Sequence, residues 1–291
     1  VHCYSSGDLY NWKDEGVALA VSEDRESEIV RGCIIERPKV IYDAKTGRFV
    51  MWFHLELRGQ GYRAARTDLA VSDTPTGPYQ YQRSFRPNAG VEPVNGRSEL
   101  VMPDGRDYFT RDMENGQMSR DMTLFMDDDG KAYHIHASEE NYTLHISELT
   151  DDYLDFTGKF ARVMPGGHNE APAVCKYRGK YYMITSGCTG WRPNAARSMV
   201  ADNILGPWKS LDNPCRGVNS HNELGPELTF GGQSTYILPV QGKEDAFIAM
   251  FDIWTPRNPI DGRYIWLPVQ FEDGKIIVEW KDKWDLSVFE K

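Results

Sequence analysis

One order of parts recurs along this chain: a polar residue, an apolar strand, a turn rich in Gly, Asp or Lys, and an aromatic-rich partner strand. Four segments show it: "IIERPKVIYDAKTGRFVMWFH", "MSRDMTLFMDDDGKAYHIHAS", "NEAPAVCKYRGKYYMITSG" and "GGQSTYILPVQGKEDAFIAMF". Each reads as a β-hairpin, because two runs of strand-forming residues flank a short turn. A third and fourth strand follow in "RAARTDLAVSDTPTGPYQYQ" and "AARSMVADNILGPWKSL", where a small-residue strand and a polar turn lead to Gly-Pro-aromatic. The N-terminal "VHCYSSGDLYNWKDEGVAL" fits the same tail, with Asp8-Leu9 in the turn and Trp12 in the last strand. Four-stranded units recurring at roughly 50 to 85 residues are the signature of a β-propeller, since one unit cannot bury both faces alone and neighbours must stack. The expectation is therefore an all-β fold: a five-bladed β-propeller in one domain over 1–291, its first blade incomplete at the N-terminus. A β-sandwich is the alternative, though it would not explain the recurring order. Val1 opens in what reads as mid-strand, so either a preceding piece completes that blade or the C-terminal "GKIIVEWKDKWDLSVFEK" supplies part of the closure. The longest insertion is expected at 85–118.

Composition narrows the class. Of 291 residues, 40% are hydrophobic and 12% aromatic, enough for a large core. The 8 Trp and 15 Tyr exceed ordinary packing needs, and flat rings make good surfaces for sugars. A net charge of −10 argues against nucleic acid or an anionic membrane as partner, and no apolar run is long enough for a membrane helix. Five cysteines (3, 33, 175, 188 and 215) without CxxC spacing give neither a disulfide framework nor a zinc site and read mainly as buried thiols.

The polar openings are where chemistry is expected. The first strand of each propeller blade lines the central channel, so Glu36, Asp121, Glu170 and Gln233 should converge from four successive blades. A carboxylate on a buried strand must be hydrogen-bonded, paired or used, because burying it alone is costly. Crowded carboxylates shift one another's proton affinity. Three uses suit such a ring: a Ca²⁺ site, a polar plug filled with water, or the acid and partner group of glycoside hydrolysis. The surplus of Trp and Tyr favours the sugar.

Taken together, "CYSSGDLYNW", "ERPKVIYDAKTGRFVMWFH", "SRDMTLFMDDDGKAYHIHAS", "NEAPAVCKYRGKYYMITSGCTGWRPN" and "GGQSTYILP" resemble glycoside hydrolase family 43, and within it the exo-β-1,3-galactanase branch. The resemblance covers essentially the whole chain and implies a five-bladed propeller and an inverting enzyme. By motif, Glu170 in "NEAPA" is similar to the family's general acid. Asp121 in "SRDMTLF" resembles the carboxylate that tunes and orients that acid. The aspartate base of the wider family would lie on a strand preceding this chain, whereas the galactanase branch is thought to use a glutamine, matched here by Gln233 in "GGQSTY". A neutral amide is a poor base, so Gln233 would hold the attacking water or act through a tautomer. Glu36 in "ERPKV" resembles a substrate-binding carboxylate.

Tyr62, Asn141, Thr189, Trp191, Asn194 and Trp254, on loops or strand ends, are further candidates to stack on or hydrogen-bond a sugar. The histidines of "HIHASEENYTLHIS" read as core or solvated residues rather than ligands, with His145 on a different strand from His134 and His136. "DDDG" at Asp127–Gly130 reads as a hairpin turn, since it lacks calcium-loop spacing. The resulting expectation is a monomeric, secreted or periplasmic exo-hydrolase of β-1,3-galactan such as the backbone of type II arabinogalactan. It would need no cofactor or metal. Glu170 and Gln233 should stand roughly 6.5 to 9.5 Å apart, leaving room for water. The rivals are another family 43 specificity (arabinofuranosidase, xylosidase or galactofuranosidase), a non-catalytic carbohydrate-binding propeller, and a calcium-stabilised structural one.

Overall fold

A computed structural model describes residues 1–97 and 105–290. Among the described residues, strands β1 (His2–Ser5) and β2 (Lys13–Val17) pair only with each other. The first repeat forms β3 (Ile34–Asp43), β4 (Arg48–Glu56), β5 (Arg66–Ser72) and β6 (Gln80–Phe85), in spatial order 3-4-5-6. A one-and-a-half-turn helix α1 (Tyr108–Asp112) follows, its start capped by the Asp107 carboxylate accepting from Thr110 N. It lies in the expected 85–118 insertion, part of which (98–104) falls outside the described residues.

The second repeat gives β7 (Met122–Met126), β8 (Ala132–Ser138), β9 (Thr143–Leu149) and β10 (Phe156–Val163). The third gives β11 (Asn169–Tyr177), β12 (Lys180–Gly187), β13 (Arg197–Ala201) and β14 (Lys209–Leu211). Last come β15 (Cys215–Arg216), β16 (Gln233–Pro239), β17 (Phe247–Ile253), β18 (Arg263–Glu272) and β19 (Lys275–Glu279), in order 15-19-18-17-16. The protein is thus all-β with a β-propeller arrangement of four blades among the described residues rather than five. The front unit is a two-stranded sheet. The C-terminal strand does not join that sheet: β19 pairs with β18 and, in parallel, with β15.

The chain divides into two compact units, 1–140 with 145–162, and 141–144 with 163–291. Each is built around the apolar faces that adjacent sheets press together. In the first unit, Ile41, Trp52 and Leu69 of one blade pack on Met122, Leu124 and Leu149 of the next, and Trp52 Nε1 donates to Tyr153 O at 2.9 Å. Ala18, Leu19 and Ile29 cover Met51, Phe53 and Leu55 on the other face. In the second unit, Ala173, Tyr182 and Ile184 pack on Ile237, Ala249 and Phe251. Burying side chains of this size stabilises by about 1.5–3 kcal/mol each. No disulfide joins the cysteines among the described residues; Cys175 and Cys215 are buried and the others half-buried. Asp127 and Gly130 close a hairpin, as the sequence indicates (Gly130 N donates to Asp127 O at 3.0 Å).

The histidines of the second blade are core, and closer together than strand alternation suggested. His134 and His136 are in contact through their Nδ1 atoms at 3.0 Å, His134 Nε2 meets Thr67 Oγ1 at 3.0 Å, and the His145 ring lies 5.4 Å from His136. Burial pushes His134 down to about 3 and His136 well below its ordinary value, the latter also through its histidine neighbours. Above pH 6.5 these rings are neutral whether folded or unfolded. Below it the unfolded chain takes up protons that the folded core refuses, so stability falls as pH falls, by about 1.4 kcal/mol per pH unit and ring. Urea midpoints measured from pH 6.5 to 5 should decline steadily, and a His136→Asn variant should show a shallower slope.

Candidate active site

The sequence makes the inner strands of the blades break stride where their polar residues stand. Register shifts fall between Glu36 and Lys39 in β3 and between Glu170 and Ala173 in β11, where Arg37 and Ala171 both have φ of +55°. A left-handed residue costs a non-glycine about 1–3 kcal/mol, and its recurrence one position after each glutamate makes it a feature of the repeat. The third bulge, between Ser234 and Tyr236, follows Gln233 in β16. That strand begins on Gly231-Gly232, where a Cβ on Gly232 would lie only 2.9 Å from Phe251 Cβ. The glycine lets Gln233 enter its strand directly over the core.

In the second unit Glu170 is held by amides. Gln233 Nε2 donates to its Oε1 at 3.0 Å and Asn141 Nδ2 to its Oε2 at 3.2 Å. Gln233 Nε2 also donates to Ser186 Oγ at 2.9 Å, while Trp254 Nε1 donates to Gln233 Oε1 at 2.8 Å. An indole N–H can only donate, so Trp254 fixes the amide with its oxygen to the indole and its nitrogen to the acid. The expected gap of 6.5 to 9.5 Å between Glu170 and Gln233 is therefore not found. The cause is packing: β11 and β16 are adjacent first strands, also tied by Ser234 Oγ donating to Ala171 O at 2.5 Å, so the two side chains meet directly.

Beside this pair opens a cleft lined by Trp191, Asn194, Gly232, Gln233 and Trp254. Trp191 and Trp254 meet edge to face with centroids 5.0 Å apart, and Trp191 is 46% exposed. Asn194 and Thr189 brace the loop that carries Trp191, and Asn194 also lines the cleft. Asn194 Nδ2 donates to Gly187 O and Thr189 Oγ1, its Oδ1 accepts from Gly187 N, and the Thr189 hydroxyl donates to Arg192 O. Both are polar residues in a tight loop, and such residues bond their own backbone first.

The first unit holds a second cluster. Tyr62 donates its hydroxyl to Glu36 Oε1 at 2.7 Å. His54 Nε2 lies 2.9 Å from Glu56 Oε1, and its Nδ1 lies 3.2 Å from Glu36 Oε2, within ion-pair range but off the line of a good hydrogen bond. Asp121 Oδ2 receives Arg37 NH2 at 3.0 Å. Arg120 NH2 donates to Tyr62 O and Glu140, and Lys39 Nζ to Arg37 O. Burial opposes charge on His54, but the carboxylates of Glu36 and Glu56 outweigh it and raise its pKa. Burial, then the bond to Glu36, raises that of Tyr62.

Glu36, His54 and Asp121 each bring one ligand atom within 4.8 Å of the others. A hard cation wants six to eight oxygens, whereas this set offers an imidazole and has a buried guanidinium on its aspartate, so it fits Ca²⁺ poorly.

Sequence reasoning missed Arg37, His54, Glu56 and Ser186. A signal for two of them was available: His54 lies directly opposite Glu36 across its hairpin, and Ser186 opposite Glu170. Counting back across each turn from the polar opening finds both.

Comparison with known proteins identifies the class. Residues 1–226 match glycosyl hydrolases family 43, and the chain belongs to that family of glycoside hydrolases. It is similar to the solved family 43 β-1,3-galactosidase BT3683 in complex with galactodeoxynojirimycin, at 55% identity over 98% of this chain and 86% of that one, with a TM-score of 0.91. The exo-β-1,3-galactanase 1,3Gal43A of Clostridium thermocellum is 37% identical over 95% of this chain, with a TM-score of 0.76. That of Phanerochaete chrysosporium, solved with galactose, is 32% identical over 95% of this chain, with a TM-score of 0.75. This chain spans about 55% of each of those two. No curated protein matches.

His54 provides a direct check on the first cluster. Its imidazole should titrate above 6.5 by NMR, and Glu56→Gln should bring that value down. The ion pairing stabilises fully below pH 6.5 and is lost as pH rises through the raised value, so the variant should lose more stability at pH 6 than at pH 9.

Proposed function

We propose that this chain is an inverting, exo-acting hydrolase of β-1,3-linked galactan that releases galactose from the non-reducing end. The observation that carries the reading is Glu170, held between the amides of Gln233 and Asn141 beside a tryptophan-lined cleft. The β-1,3-galactosidase and galactanase relatives support the linkage.

Glu170 would protonate the leaving glycosidic oxygen, and Asp121, by its motif, would tune that acid. Glu36, oriented by Tyr62 and His54, would grip hydroxyls of the terminal galactose. Trp191 and Trp254 would flank the sugar. In an inverting reaction the water-holding group stands across the scissile bond from the acid. The direct contact between Gln233 and Glu170 therefore supports Gln233 as the residue that orients the acid. A water-holding role asks for a separated pair. The amide donors on both Glu170 oxygens match the acid after it has given up its proton.

The two-stranded front sheet would then be the outer half of a fifth blade in a single propeller domain. The enzyme would act as a monomer without cofactor, and outside the cytoplasm, because its polymeric substrate does not cross a membrane.

Glu170→Gln should lower galactose release from β-1,3-galactan by about 10²–10⁴-fold while still binding the substrate; product analysis by chromatography, with calorimetry for binding, decides it. Release from arabinosides or xylosides alone would keep the acid and reject the linkage. Trp254→Phe removes the donor that sets the Gln233 amide. It should cost about tenfold in kcat with little change in KM; steady-state kinetics separate the two.

A further inference from the structure

The chain carries a net charge of −10, yet one pocket of the first unit is basic. It opens beside Tyr62 and is lined by Arg63, Arg86, Arg111 and Arg120, with Asp112 and Glu140 as its acids. We propose that this pocket binds the carboxylate of a uronic-acid substituent carried by the substrate. The link to galactan rests on the function proposed above; the binding of the acidic sugar does not.

The ion pairs show where charge is left over. Arg111 takes Asp112 with both edges, Nε at 2.8 Å and NH2 at 2.6 Å, and reaches Glu140 Oε1 at 3.0 Å. Arg120 NH2 takes the other Glu140 oxygen at 3.0 Å and donates to Tyr62 O at 2.8 Å; its Nε is buried without a hydrogen-bond partner among the described residues. The two acids are thus spent on Arg111 and Arg120.

Arg86 reaches Asp112 only at 3.6 Å, and its Nε and NH2 donate to the carbonyls of Ala64 and Arg63 at 2.9 and 2.8 Å. Arg63 Nε donates to Gln60 O at 3.0 Å. The lining therefore holds two positive charges in excess. Burial lowers the Arg86 pKa against the pull of Asp112, so a bound anion would offset part of what the charge loses by leaving water.

The place is as telling as the charge. Tyr62 lines the pocket while its hydroxyl donates to Glu36. An anionic group here would sit one side chain away from the carboxylate that grips the sugar. Guanidinium forks match the plane of a carboxylate and bind it with paired hydrogen bonds. Backbone supports Arg86 from behind: Gly116 passes so close that a Cβ there would lie 2.4 Å from Arg86 O.

The test is an NMR titration of the wild type, Arg63→Gln, Arg86→Gln and Arg86→Lys with the methyl glycoside of glucuronic acid, methyl galactoside and inorganic sulfate. It is paired with kcat/KM on β-1,3-galactan oligosaccharides bearing an acidic or a neutral branch. The uronide should bind more tightly than the neutral glycoside and weaken with added salt. It should lose roughly fivefold with each guanidinium removed and recover in Arg86→Lys. The ratio of kcat/KM for acidic over neutral branches should fall in parallel. Equal binding of uronide and neutral sugar, saturation by sulfate with none by the uronide, or uronide binding untouched in Arg63→Gln would overturn it. Should neither oligosaccharide be hydrolysed, the galactanase reading falls, while the uronide titration still decides the pocket.

Discussion

A carboxylate at the head of a buried strand has to find a donor for each oxygen, and the rest of this site follows from that requirement. Leaving such a group unmet costs several kcal/mol. In the second unit the requirement is met by two amides. One of them, Gln233, is fixed in turn by an indole that can only donate. In the first unit a tyrosine hydroxyl donates to Glu36 and a guanidinium to Asp121, with the His54 imidazole within ion-pair range of Glu36. The two clusters use different side chains on the same strand position of successive blades.

The bulge just after each glutamate is the backbone counterpart. A regular strand would alternate its side chains strictly between faces. A left-handed residue at Arg37 and at Ala171 breaks that alternation. It lets the acid turn to its donors while the following residues resume packing. At Arg37 the same kink sends the guanidinium to Asp121 on the next blade, so one irregularity serves two carboxylates. Such features are tolerated where surrounding packing over-determines them, and both strands sit against fully buried aromatic cores.

Local reading captured what is periodic. The hairpins, their turns and the Gly-Pro fourth strands lie where the repeats placed them, and the four polar openings do stand at the heads of equivalent strands. It failed where long side chains choose partners. The partner of Asp121 is Arg37, 84 positions away, while the adjacent Arg120 donates to Tyr62 O. Nor was it legible that Asn194 and Thr189 would tie the loop of Trp191 to its own backbone.

The sequence by itself determined the all-β class, the repeat of four-stranded blades and the identity of the acid-bearing strands, because these depend on alternation and turn chemistry within some twenty residues. Only the tertiary structure decided that Gln233 touches Glu170 rather than standing off from it. It alone brought arginines 63, 86, 111 and 120 to one basic pocket in an acidic protein. Those outcomes depend on which strands and loops lie side by side. That is set by the packing of whole sheets, whose contacts join residues dozens of positions apart.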